Sequence, residues 1–434
     1  MSILVVGLKA QEENPFKVRS TIGLRYMSTH NRGDLEDFNA VVGFGQIKAD
    51  YQLKPWLSFS GQLNGVFLPS TSGLEKRDAT TGKGPLFESN LFNLRTMSGQ
   101  SEFALPILNA QFNLEGHILT AGRFLRNVQA FHPEQWPFPN ALEGIWYENY
   151  TAENTSWQLA YVHKAMPRFS GDFETIGNSI GVAGVGVNTD GSPSGYRNNV
   201  NSKALVVGNY NRLFNQNFSL DVWDYFVEGV MNTLLIEPSF YLPDGEWNLS
   251  LKTLIQSKIG EGGNADELLR YKTDRLALYL GFRVEKRLSS SVLQFNLTRI
   301  TDDGRFLMPR EWGYEPFYTF QKRNRIEGAR DVIGLMMKWK KSWSDEKLKY
   351  QFSTSAGQNF MPEVTDYLRN KYQTPSTLNL DAELKVQPVK WMTGLTAEVL
   401  LVYRFLTDDS NIEDKHLINQ ADFLHTDIRL YYSF

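Results

Sequence analysis

The chain closes on HTDIRLYYSF, residues 425–434. Taken in twos, Thr426, Ile428, Leu430, Tyr432 and Phe434 form an apolar and aromatic set, and His425, Asp427, Arg429, Tyr431 and Ser433 a polar one. Period two is the mark of a strand with one apolar face. Chain ends usually fray, so a pattern held to the terminal carboxylate calls for a partner strand at the very end.

The same alternation recurs along the chain. Leu276, Leu278, Leu280, Phe282 and Val284 alternate with residues that include Arg283 and Glu285. Leu378, Leu380, Ala382, Leu384 and Val386 alternate with Asn379, Asp381, Glu383, Lys385 and Gln387, and the run from Leu395 to Phe405 repeats the pattern. These runs last ~10 residues or more, against about five or six in an ordinary globular strand. A tilted strand crossing a bilayer needs about 9–11.

Strands are expected at 16–27, 38–53, 56–67, 102–115, 117–125, 141–151, 154–165, 202–214, 217–228 and 231–242. Further strands are expected at 246–259, 271–287, 290–301, 329–342, 346–358, 376–388, 392–406 and 419–434. The count is about eighteen; the pairs around 102–125 and 217–242 carry the weakest pattern, and sixteen is the alternative. Short turns such as Asn215-Gln216 and Ser289-Ser290 alternate with long polar stretches at 68–102, 125–141, 166–201, 260–270, 302–328, 359–375 and 407–418. That asymmetry belongs to outer-membrane barrels of Gram-negative bacteria, with short periplasmic turns and long extracellular loops. Backbone groups in hydrocarbon must all be paired, so the sheet has to close. The expected fold is therefore all-β: one closed antiparallel transmembrane β-barrel over 11–434, with loops folding partly into the lumen.

Composition agrees with this. Aromatics make up 13% of 434 residues, with 28 Phe and 19 Tyr. Mean hydropathy is only −0.36, as expected when half of each strand faces a wet lumen. Trp56, Trp146, Trp157, Trp339, Tyr431 and Tyr432 are candidates for interfacial girdles. There is no Cys, and the net charge of −3 with no basic run argues against a nucleic-acid partner. Residues 1–10, MSILVVGLKA, read as the remnant of a secretory signal. The short lead into the first strand gives the expectation of no plug domain and no energy coupling.

Enzymatic signatures are missing: no GxSxG, HExxH or GxxxxGK[ST]. The six His show no metal-ligand spacing, and no cofactor or metal is expected. The glycine-rich run 181–186 reads as loop packing, and the acidic loop groups as solvated charge. One stretch stands out, TDDGRFLMPREWGYEPFYTFQKRNRIEGARD at 301–331, dense in arginine and aromatics. Folded inward, its aromatics pack on the wall while its arginines offer planar recognition of carboxylates.

Within it, PREWGYEPFYTF followed by RNRIEG resembles the signature of the OprD family of outer-membrane channels, the substrate-specific porins also called Occ. LTAGRFLRNVQAFHPEQWPFPNALEGIW at 119–146 is a looser match; the rest resembles the family only in pattern and length. The resemblance implies a channel narrowed by inward-folded loops three and seven, for small solutes that usually carry a carboxylate. It places Arg305, Arg310, Glu311, Tyr314, Arg323 and Arg325 on loop seven and Phe131, His132, Glu134 and Asn140 on loop three as the solute path.

It also implies a basic ladder, for which strand alternation nominates Arg25, Arg123, Arg283, Lys338, Arg404 and Arg429, with Arg19 at one end. Glu285, Asp381, Glu383, Glu398 and Asp427 are expected to point inward as well, so the wall is mixed in charge. The leading expectation is passive, selective diffusion through a porin-type channel. The alternatives are a barrel enzyme of the lipase or protease type and a plugged structural or secretion barrel. Expected partners are membrane lipid and lipopolysaccharide, small solutes, and the barrel assembly machinery through Phe434. The expected state is a monomer or weak trimer.

Overall fold

The computed structural model describes residues 14–70, 74–93, 102–133, 137–242, 245–408 and 411–434; the signal-remnant reading of 1–10 lies outside them. Eighteen strands make the wall. The first six are β1 (Phe16–His30), β2 (Phe38–Lys54), β3 (Leu57–Ser70), β4 (Glu102–Leu114), β5 (His117–Phe124) and β6 (Ala141–Ala152). Next come β7 (Thr155–Met166), β8 (Leu205–Asn215), β9 (Phe218–Val227), β10 (Met231–Tyr241), β11 (Trp247–Lys258) and β12 (Leu276–Arg287). The last are β13 (Ser291–Ile300), β14 (Val332–Ser344), β15 (Leu348–Phe360), β16 (Thr377–Pro388), β17 (Leu395–Leu406) and β18 (Phe423–Ser433). A two-residue segment, Glu174–Thr175, adds only a short pairing to the end of β7.

Each strand pairs antiparallel with the next, and β18 returns to β1 with Thr21 opposite Ser433 and His30 opposite Leu424. The terminal residue takes part: Ser20 N–H donates to the Phe434 carbonyl at 2.8 Å and Phe434 N–H to that of Ser20 at 2.9 Å. The last strand does not fray because it is half of the seam.

Alternation sorts the two faces. Leu424, Ile428 and Leu430 point outward and stay 38–47% exposed, while Asp427 beside them is 1% exposed. Equivalent residues, such as Leu24, Leu251, Leu280, Ile333 and Leu401, are exposed around the wall. A continuous apolar belt of this extent is unstable in water and fits hydrocarbon. Trp56, Trp157, Trp339 and Tyr432 are outward and exposed, as girdle residues should be. Trp146 and Tyr431 are not. They share parity with inward residues: Trp146 is fully buried and donates to Gln158 at 2.9 Å, and Tyr431 donates its hydroxyl to Glu398 at 2.9 Å.

The long connections all lie at one end of the barrel and are numbered from the first: loop one 31–37, loop two 71–101, loop three 125–140, loop four 167–204 and loop five 228–230. Loops six to nine are 259–275, 301–331, 361–376 and 407–422. Loops one and five are short, a departure from strict alternation. The lumen is not uniformly wet. Phe131 of loop three and Phe306, Leu307, Trp312, Phe317 and Ile326 of loop seven pack on inward apolar residues of the wall, among them Trp146, Val207, Leu235, Leu254 and Tyr279. An apolar core therefore fills the side of the barrel bounded by β5–β13, with loop four adding Ile176, Ile180 and Tyr196.

Candidate functional site

Loops three and seven meet at a glycine. Gly313 follows the single turn Arg310–Trp312, has φ +147° and lies so close to loop three that a Cβ would sit 2.6 Å from the His132 nitrogen. Asn140 Nδ2 donates to the Trp312 carbonyl at 2.6 Å, and the Phe131 ring lies 5.7 Å from Trp312 and 5.8 Å from Tyr225. The His132 ring meets Tyr314 edge-on at 5.8 Å. Glu134 lies outside the described residues.

From this junction loop seven crosses the lumen. The Tyr318 hydroxyl donates to Glu237 of β10 at 2.7 Å, with Lys252 of β11 and Arg283 of β12 over its ring at 4.6 and 4.0 Å. Gln321 donates to Ser355 of β15 at 2.9 Å, and Lys322 pairs with Glu383 of β16 at 2.5 Å. Arg323 reaches β18, donating to Asp427 at 2.8 Å and to His425 at 3.1 Å. One loop thus ties opposite walls together.

Most of the expected loop-seven path residues are engaged by partners within the protein. Arg305 is 1% exposed, held by Thr273 at 2.9 Å and Asp274 at 3.5 Å. Arg310 pairs with Glu327 and covers the Tyr372 ring at 3.5 Å. Arg325 donates to the Gly313 carbonyl at 2.6 Å. Glu311 accepts the backbone N–H groups of Gly181 and Ala183 at 3.0 and 2.7 Å, which gives the glycine-rich run its place as a carboxylate nest. Glu315, which the sequence did not single out, accepts from Ile326 at 3.1 Å and Glu327 at 2.9 Å; burial pushes its carboxyl up to about 7. Of the six, Tyr314 lines the open space beside the loop.

That space is a pair of neighbouring cavities. One, of about 280 Å³, is bounded by Gln129, His132, Glu237, Lys252, Arg283, Lys338 and the aromatics of loop seven. The other, of about 560 Å³, runs towards the short-turn end past Lys322, Ser342, Gln351, Glu383, Lys385, Glu398 and Arg429. Tyr314 and Lys340 line both.

The ladder is altered in three places. Arg123 shares parity with Leu119 and Ala121; its register partner Leu108 is 55% exposed on the outer face, so it points out of the barrel and pairs with Glu143 at 2.7 Å. Arg25 is 1% exposed and clamps Asp427 through two hydrogen bonds. Arg404 is 4% exposed and donates to the Gln420 carbonyl at 3.1 Å. Neither lines either of these two cavities. Arg19 pairs with Asp50 at 2.6 Å near the short-turn end. Arg283, Lys338 and Arg429 do line the cavities.

Lys340 was overlooked, although it shares the parity of Lys338 two residues earlier. Most cations on this track are matched: Lys252 with Glu237 at 3.1 Å, Lys385 with Glu398 at 3.1 Å, and Arg429 with Glu398 at 3.5 Å and Asp427 at 3.3 Å. Among the described residues Lys338 and Lys340 have no carboxylate within ion-pair distance. Arg283 donates to Asn296 at 2.8 Å and likewise has no ion pair.

No family model matches this sequence, and no curated protein does. Solved structures do. Pseudomonas aeruginosa OpdK with vanillate is 12% identical, with 96% of this chain and 98% of that one covered and a TM-score of 0.67. Acinetobacter baumannii OccAB4 is 11% identical over 98% and 99%, with a TM-score of 0.68; OccAB3 from the same organism is 9% identical over 96% and 99%, at 0.69. This chain has the barrel fold of the OprD/Occ channels.

Proposed function

We propose that the chain is an outer-membrane channel of a Gram-negative bacterium for passive, selective diffusion of small water-soluble solutes that carry a carboxylate. The observation that carries this reading is the pair of lysines without an ion pair, Lys338 and Lys340, near Arg283, on a polar track that passes loop seven. Cations with no carboxylate at ion-pair distance in a narrow, low-dielectric passage lower the barrier for an anion. The alternating matched pairs further along keep the attraction weak enough for release. Tyr314 and Phe320, with ring centroids 4.5 Å apart, offer the solute an apolar flank at the junction of the cavities.

Planar-bilayer recording of the purified protein tests this. Discrete conductance steps, reduced by a carboxylate solute, are expected, and vanillate, the compound named with OpdK, is the first to try. Silence in the bilayer together with hydrolytic activity would replace the channel with a barrel enzyme. Silence alone would favour a plugged structural barrel.

A further inference from the structure

The end of loop seven that reaches the seam is held by a histidine whose protonation state is set by its partners. His425 of β18, Thr29 of β1 and Glu88 of loop two are all fully buried. Arg323 Nε lies 3.1 Å from His425 Nε2. A guanidinium N–H can only donate, so Nε2 must accept and carries no proton. The ring proton is then on Nδ1, which lies 2.9 Å from Thr29 Oγ1 and donates to it. The Thr29 hydroxyl in turn donates to Glu88 Oε1 at 2.6 Å. The chain of hydrogen bonds runs in one direction, Arg323 to His425 to Thr29 to Glu88, and it works only with a neutral imidazole.

A second proton on His425 would put Nε2–H against Arg323 Nε–H. The charges that act on the ring are Arg323 of loop seven, Arg25 of β1, Arg404 of β17 and Asp427 of β18, with Glu88 3.8 Å away across Thr29. The imidazolium would join three arginines against two carboxylates, one of which, Asp427, already binds Arg25, Arg323 and Arg429. Arg323 sits on the loop and not on a strand, at φ +63°, a backbone conformation that costs a non-glycine residue and persists only while its surroundings hold it.

We infer that His425 is an acid-sensitive latch: protonation ejects Arg323 and frees the seam end of loop seven, widening the passage between the loop and β1–β18. The inference rests on the channel reading for its consequence, though not for the latch itself. Acid also reaches Glu88, whose carboxyl burial pushes up to about 6, so the two groups must be separated by substitution.

The test is hydrogen exchange of residues 319–325 in the intact barrel, with labelling times scaled for the intrinsic pH dependence, alongside bilayer conductance. From about pH 7.5 to about pH 4, a span that extends below the ordinary histidine range, exchange of this segment should speed up by about tenfold and conductance should rise. His425→Gln, whose Oε1 can still accept from Arg323, should stay protected at both pH values, while Glu88→Gln should retain the acid response. Wild-type protection unchanged by acid overturns the latch, as does an acid response that survives in His425→Gln or disappears in Glu88→Gln. Release without any conductance would leave the latch standing and overturn the channel reading.

Discussion

Lys340 shows how much one unmatched charge is asked to do. It lines both cavities with no carboxylate at ion-pair distance among the described residues, so Lys340→Gln should shift the reversal potential in a salt gradient towards cation preference, with Lys338→Gln adding to it. Arg305→Gln should leave selectivity unchanged and lower thermal stability, by about 1–3 kcal/mol for an unpaired Asp274. Glu315 makes a pH-linked case. Its folded pKa of about 7 lies above the ordinary value of 4.5, so its contribution to stability is fully present below about 4.5 and lost as pH rises through about 7. The amides of Ile326 and Glu327 should therefore exchange more slowly in acid, and Glu315→Gln should flatten that trend. Acid thus tightens the base of loop seven while it loosens the tip at Arg323. Parity made Lys338 and Arg429 readable from sequence, but it could not reveal that Arg25 and Arg404 are enclosed, because burial inside a lumen depends on where the loops settle. Arg123 was a parity error: it lies in step with Leu119 and Ala121.

At the scale of elements, all eighteen strands were legible because their outward faces obey period two. The weakest stretches have identifiable causes. Around 217–242 the inward residues Trp223, Tyr225 and Leu235 are buried against the loop core, so both faces are apolar and alternation blurs. Around 102–125 the strand carries Pro106, the register shifts opposite Gln62 and Asn64, and Gly122 adopts φ +116°. The junction of loops three and seven is the most sensitive element. Gly313→Ala adds a Cβ at a positive φ with no room beside His132, a strain of about 1–3 kcal/mol. The loops should move apart, and single-channel conductance should rise with a fall in selectivity. The loop-seven motif indicated that the segment enters the lumen; which residues face solute and which stitch the loop was set by contacts far apart in sequence, such as Glu311 with Gly181.

For the whole molecule, an 18-stranded wall is wider than its passage. Loops three, four and seven fill the β5–β13 side with an apolar core, leaving the polar track against β11–β18. Replacing residues 319–325 by a short glycine linker should therefore give a large, unselective conductance while the barrel still folds, as judged by its altered migration in unheated detergent gels. Removing residues 425–434 should abolish folding in the same assay, since β1 would lose its partner and expose an edge in hydrocarbon.

The seam has a consequence for the order of assembly. Asp427 gathers Arg25 from the first strand, Arg429 from the last and Arg323 from loop seven. These groups come together only when the two ends of the chain meet. A half-built barrel therefore lacks the anchor for the far end of loop seven: the event that seals the sheet also fixes the loop across the lumen.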